Sequence, residues 1–253
     1  MKKTFLLIIT VICAVTNLYA QQQFNQKIAP LIEKSADLYR FNGSILVCKN
    51  GKIIFEKGYG YQDIQDKIEN TPNTIFQVGS MTKPFTAAVV LKLAEQQKLS
   101  LDDKISKYFP SLKRSDEITI KNLLTHTSGL SEIFRDTLFI KENKQSSISK
   151  EKLLSFFIDR PLYFDPGTRY SYCNSGYVLL GLIIEKVSGK TYEQMVRNYI
   201  LKPLKMTHSG FDFAGLKSKQ KALDYIKFSR AASISSLPWI QPPLMLPVCY
   251  TVL

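Results

Sequence analysis

Ser80 stands three residues before Lys83 in "QVGSMTKPF", residues 77–85. A serine hydroxyl is a weak nucleophile until a neighbouring base takes its proton. Lysine is such a base only in its neutral form, which desolvation or the positive end of a helix favours. Residues three apart share a helix face, so the Lys83 amine can be aimed at Ser80 Oγ. Spacing alone is weak, because S-x-x-K also occurs at Ser147/Lys150, Ser149/Lys152 and Ser218/Lys221. Those three pairs lie in hydrophilic runs and read as accidents. Only Ser80 precedes an apolar stretch of helix formers, with Phe85, Ala88, Val89 and Leu93 near helical spacing. Pro84 suits a first turn, where its missing N–H costs little. Ser80 is therefore expected at a helix mouth, where free N–H groups favour developing negative charge.

A second group lies in "RYSYCNSGY", which holds the one Y-x-N of the chain, Tyr172-Cys173-Asn174. It follows the turn signal "DPGT". A tyrosine in a short loop before a helix can reach across a cleft and take or relay the serine proton. Asn174 offers donors and an acceptor to a substrate amide. A competing arrangement would pair Ser80 with His126 and Asp165 as a hydrolytic triad. A capping or core histidine is the expected reading of His126. The chain has only two histidines, so no histidine-based metal cluster is available.

The elements that must position these residues can be read coarsely. "FNGSILVCKNGKIIFEKGYGYQD" reads as a β-hairpin around the tight-turn signal "KNG". A helix is expected from Met81. "EITIKNLLTHTSGLSEIF" reads as a helix broken at "HTSG", and two further helices flank "SGK" after residue 172. "KENKQSSISKEK", residues 141–152, reads as a solvated loop entering a helix. Strands followed mostly by helices imply an α+β body with a helical lobe.

Composition is that of an ordinary globular chain: 253 residues, 45% hydrophobic and 22% charged. The first twenty residues differ. "MKK", the short apolar run "TFLLIITVICAV" and "NLYA" together read as a signal peptide cleaved after Ala20. Bulky Ile12 before Cys13 argues against a lipoprotein. The expected location is periplasmic or secreted, with no stable membrane insertion after cleavage. Cys48, Cys173 and Cys249 then remain, an odd and widely spaced set with no disulfide framework. The formal charge of +13 is carried by scattered lysines without a basic-aromatic stripe, which argues against nucleic acid as a partner. The expected partner is a small-molecule or peptide substrate, and oligomeric state is left open.

Taken together, the motifs resemble those of the serine β-lactamase and penicillin-binding-protein superfamily, nearest its class C β-lactamase and D,D-peptidase-like branch. "FQVGSMTKPFTAAVVLKLAEQQKLSLDDKISKYFP", "ITIKNLLTHTSGL", "FDPGTRYSYCNSGYVLLGLIIEKVSGKTYEQMV" and "ILKPLKMTHSGFDF" are similar to that family's segments and follow its order. The resemblance covers residues from about Phe41 to Phe213. It implies a β-lactamase/transpeptidase-like α+β fold, an antiparallel sheet plus a helical lobe. It also implies Ser80 as acylated nucleophile, Lys83 as its base partner, Tyr172 as second base and proton relay, and Asn174 as substrate contact. The implied activity is acyl-enzyme hydrolysis of D-Ala-D-Ala-like peptides, β-lactams or small esters, with no metal or cofactor. The implied class includes a third element, Lys or His, any residue, then Gly, on a strand that supplies one oxyanion N–H. "HSG" at 208–210 comes too early for it. The sequence is therefore expected to be C-terminally truncated, with only the N-terminal hairpin of the sheet, and activity is put in doubt. The alternative is a non-catalytic binding protein or inactive fragment of the same fold.

The expected organisation is a signal peptide over 1–20, a partial hydrolase domain over 21–230 and an aberrant tail over 231–253. The tail, "AASISSLPWIQPPLMLPVCYTVL", has no charged residue, four prolines and the only Trp. A shifted reading frame is its expected origin. Reading the codons two nucleotides later allows an Ala-Gly-rich segment similar to the family's.

Overall fold

The computed structural model describes residues 26, 28–38, 41–135, 139, 149–211, 213, 215–223 and 250–251. The signal segment and most of the 231–253 tail lie outside the described residues; Tyr250–Thr251 of the tail are strand. The described residues form two compact units.

The first unit takes in residues up to 76 and those at 217–223. It opens with α1 (Ala29–Asp37) and the hairpin of β1 (Gly43–Lys49) and β2 (Lys52–Tyr59). The two strands run antiparallel, Gly43 opposite Tyr59 and Lys49 opposite Lys52, with a bulge between Val47 and Cys48. The turn is the one "KNG" demands: Asn50 and Gly51 both have positive φ, 52° and 72°. That pairing matches the twist of the strands it joins. A second antiparallel pair, β3 (Tyr61–Asp63) with β4 (Ile68–Glu69), follows. Ile75 bridges to Lys221, which places the fourth S-x-x-K lysine in a backbone ladder; Ser218 Oγ accepts from the Gln220 N–H.

The second unit, Gln77–Leu216, is the helical lobe and holds the main core. A 3-10 turn, Gly79–Met81, leads into α2 (Thr82–Glu95). Then come α3 (Ile120–Leu124), α4 (Lys150–Ser155), α5 (Asn174–Ser188) and α6 (Tyr192–Val196). In α5 the whole run from Ser175 to Ile184 is buried, so this helix is central and apolar all round. It ends on Gly189 at φ 65°, the left-handed cap that glycine takes without strain. The buried stripe of α2 is Thr82, Thr86, Val89, Val90 and Leu93. The expected face shifts by a fraction of a turn: Ala88 is exposed and Phe85 is only half-buried. Thr86 sets that rotation, because its hydroxyl bonds Tyr192 OH at 2.7 Å inside the core. Among the described residues no helix is long and apolar enough to cross a membrane.

Ser149, a member of another S-x-x-K match, caps α4 by accepting from the Lys152 N–H at 3.2 Å. Ser149→Ala is expected to cost about 1 kcal/mol of stability, read by denaturant melts, with no effect on chemistry at Ser80. Ser147 lies outside the described residues.

Candidate active site

Two stretches of the second unit converge. Ser80 sits in the 3-10 turn and Lys83 in the first turn of α2. Lys83 Nζ donates to Ser80 Oγ at 3.2 Å. Tyr172, 92 residues later, brings its OH to within 2.7 Å of Ser80 Oγ. Asn174 opens α5 and accepts from Lys83 Nζ on Oδ1 at 2.7 Å. The lysine amine also lies over the Tyr172 ring, 4.7 Å from its centroid, and over the Tyr177 ring at 5.4 Å. Ser80 itself is exposed, so a reagent can reach Oγ. In the structure the carbonyl of Asn174 is engaged by Lys83, and what it can offer a substrate is its amide N–H.

The loop between α3 and the short 3-10 turn Ile133–Arg135 holds the stretch with Tyr172 in place. α3 starts with a capping box, Thr119 with Asn122. Beyond its end the chain turns through His126, at φ 57°, and Gly129, at φ 75°. From there four main-chain N–H groups of the 163–173 stretch are collected in register. Tyr163 donates to Gly129 O at 2.7 Å, Gly167 to Thr127 O at 2.8 Å and Ser171 to His126 O at 2.9 Å. Cys173 donates to His126 Nδ1 at 3.1 Å. His126 thus grips the backbone on both sides of Tyr172 and stacks on its ring, centroids 4.7 Å apart. It also stacks on Tyr177 at 5.0 Å. It is a half-buried tether that does not touch Ser80 as a base. Asp165 pairs with Arg114 at 2.7 Å, so the Ser80–His126–Asp165 arrangement does not form. His208 of "HSG" is exposed in a turn.

As an acceptor, His126 Nδ1 must be unprotonated, which places the ring proton on Nε2. Burial chiefly, and then the Lys83 charge, hold the imidazole below its ordinary pKa. The unfolded chain therefore binds a proton at higher pH than the folded one. The contribution to stability is complete above the unfolded value of about 6.5 and is lost as pH falls through the lowered folded value. The expected result is a Tm that declines on going below pH about 6.5, with a smaller decline in His126→Asn. Asparagine retains an acceptor near the Nδ1 position and tolerates a positive φ, but does not titrate.

Glu132 was not singled out by its sequence setting, yet it holds the start of α5. Its Oε2 accepts from the Asn174 main-chain N–H at 2.6 Å and its Oε1 from Asn174 Nδ2 at 3.0 Å. The N-cap residue Cys173 gives no side-chain cap, and a carboxylate from a distant loop fills that role at the positive end of the helix. Ser175 adds a second tie, accepting from the Ile133 N–H and donating to Ser131 O. An acid after a turn looks like a solvated charge in sequence, and the 42 residues between Glu132 and Asn174 hide the contact.

A serine bridged by lysine and tyrosine at a helix mouth, in an α+β fold with a helical lobe, defines the class of active-site serine hydrolases built on the β-lactamase/transpeptidase fold. The beta-lactamase family profile matches residues 26–229, and the chain belongs to that family. It is 38% identical to Protein flp of Staphylococcus aureus (strain COL) over 208 residues, 79% of this chain and 41% of that protein. The chain therefore spans less than half the length of that relative. Its structure resembles the octameric penicillin-binding protein homologue from Pyrococcus abyssi, with 32% identity and a TM-score of 0.74 over 93% of this chain and 53% of the other. It also resembles a class C β-lactamase, with 26% identity and a TM-score of 0.70 over 93% of this chain and 62% of the other.

Proposed function

We propose that the protein is a serine acyl-enzyme hydrolase of D-Ala-D-Ala-like peptides, β-lactams or small esters. The observation that carries this reading is Ser80 Oγ held between Lys83 Nζ at 3.2 Å and Tyr172 OH at 2.7 Å. The Ser80 proton passes to the Lys83–Tyr172 pair as Oγ attacks the substrate carbonyl carbon. The tetrahedral intermediate collapses when the C–N or C–O bond breaks and the leaving group takes that proton. Water, deprotonated by the same pair, then releases the acid and restores the serine. The Ser80 N–H at the helix mouth is one donor for the oxyanion. Class membership supports the substrate range, because the compared proteins include a penicillin-binding protein homologue and a class C β-lactamase.

The test is incubation with a fluorescent penicillin and with a fluorophosphonate, followed by intact mass and peptide mapping. An adduct on Ser80 supports the reading; the absence of any adduct on properly folded protein sinks it. A steady-state panel of D-Ala-D-Ala peptides, β-lactams and p-nitrophenyl esters then separates the three substrate types. A second reading is a non-catalytic binding protein of the same fold. It predicts reversible substrate binding without acylation. We further propose export, on the strength of the first twenty residues. A mature N-terminus at Gln21, found by sequencing exported protein, is the expected result; full-length protein retained inside cells is the opposing one.

A further inference from the structure

We propose that Glu132 is a positioning residue that fixes which end of the Asn174 side-chain amide faces Lys83. This rests on the serine acyl-enzyme reading above. The two ends of an asparagine amide are nearly the same size, so packing alone cannot orient them. Here the neighbours do so by polarity. The Lys83 amine has N–H groups to donate whether or not it is charged, and its lone pair when neutral belongs to the Ser80 side, whereas a carboxylate only accepts. With Asn174 between them, Oδ1 must face Lys83 Nζ, 2.7 Å away, and Nδ2 must face Glu132 Oε1, 3.0 Å away. Turning the amide over would set donor against donor at one end and acceptor against acceptor at the other.

The carboxylate is itself held. Its Oε1 also accepts from the Phe134 N–H at 3.0 Å, and its Oε2 accepts from the Asn174 main-chain N–H at 2.6 Å. Main chain and side chain of one residue are thus gripped by one carboxylate, which fixes the amide relative to the start of α5. The consequence reaches the nucleophile. Lys83 Nζ is shared between Asn174 Oδ1 and Ser80 Oγ, so the direction of the amide decides where the amine sits when it meets the serine.

Two roles for Glu132 must be separated, capping α5 and orienting Asn174. Glu132→Gln separates them. The glutamine carbonyl can still accept from the Asn174 main-chain N–H, so the cap survives. Its amide N–H groups then face Asn174 and pair with Oδ1, which turns Nδ2 toward Lys83. The experiment compares wild type, Glu132→Gln and Glu132→Ala by three readouts: Tm, the side-chain amide resonances of 15N-asparagine-labelled protein, and the rate of fluorophosphonate labelling. The Asn174 resonance is assigned by its loss in Asn174→Ala. The expected result for Glu132→Gln is a Tm lowered only by the loss of the Phe134 N–H bond and above that of Glu132→Ala, a displaced Asn174 amide signal with altered proton exchange, and labelling slowed about a hundredfold, as misplaced groups commonly cause. Glu132→Ala is expected to lower Tm as well. An Asn174 amide signal identical in wild type and Glu132→Gln overturns the proposal. So does a shifted signal with labelling unchanged, which leaves Glu132 as a cap alone. Wild-type protein that never labels overturns the serine reading instead, and the amide signals still decide the orientation of Asn174.

Discussion

Ser80→Ala is expected to remove all covalent labelling by fluorescent penicillin and fluorophosphonate, a complete loss of adduct by intact mass. Ser147→Ala, Ser149→Ala and Ser218→Ala are expected to label at the wild-type rate. The contrast follows from the surroundings. Ser80 Oγ has both an amine and a phenol within hydrogen-bond reach, whereas Ser149 Oγ and Ser218 Oγ accept from main-chain N–H groups. Lys83→Ala leaves the serine with Tyr172 OH as its one remaining partner of the pair and leaves Asn174 Oδ1 without its donor. A loss of about 10²–10⁴-fold in labelling rate is expected, the usual range for one general base. Adduct on another serine in the Ser80→Ala protein would show the nucleophile to be misassigned.

A large loss of stability is expected on substituting Gly129. Its φ of 75° alone costs a residue with a side chain roughly 1–3 kcal/mol. A Cβ there would also stand 2.1 Å from the carbonyl oxygen of Phe164, which is backbone and cannot swing aside. Gly189→Ala is the matched control, with φ at 65° and nothing within 4 Å of the added carbon. The control is expected to lose about 1 kcal/mol and Gly129→Ala more than about 3 kcal/mol. For a chain of this size that is a drop in Tm of very roughly 10 °C, read by calorimetry or circular dichroism. Gly129→Ala is also expected to slow labelling of the residual folded protein. The bond from the Tyr163 N–H to Gly129 O is one of those that lay the 163–173 stretch, and Tyr172 with it, against the loop. Equal losses at the two glycines would mean that the 129–164 approach is looser than the structure has it.

The α+β class and helical lobe could be read from the sequence because their signals are local. The hairpin was legible in Asn50-Gly51, and the ends of α5 in the turn before it and the glycine after it. The pairing of Ser80 with Lys83, and of Tyr172 with Asn174, is visible as spacing within one turn or one loop. What joins the two pairs is not. Glu132 and His126 act through contacts to residues more than forty positions away, and nothing in "HTSGLSE" distinguishes a tether from a surface loop. The misjudged face of α2 has a similar cause. Ala88 fits the helical period as well as Thr86 does, and only the Tyr192 hydroxyl, 106 residues from Thr86, draws the polar residue inward.

The 92 residues between Ser80 and Tyr172 bear on how the chain acquires its reactivity as well as on where it resides. A contact of that sequence separation closes late relative to α2 or the hairpin, because the intervening chain must be ordered first. The nucleophile is therefore present in the chain well before its phenol partner reaches it. Labelling at Ser80 is expected to rise during refolding together with the docking of α5, lagging the far-ultraviolet signal of helix formation. An active-site probe added at timed intervals would then serve as a clock for the last long-range closure in the helical lobe.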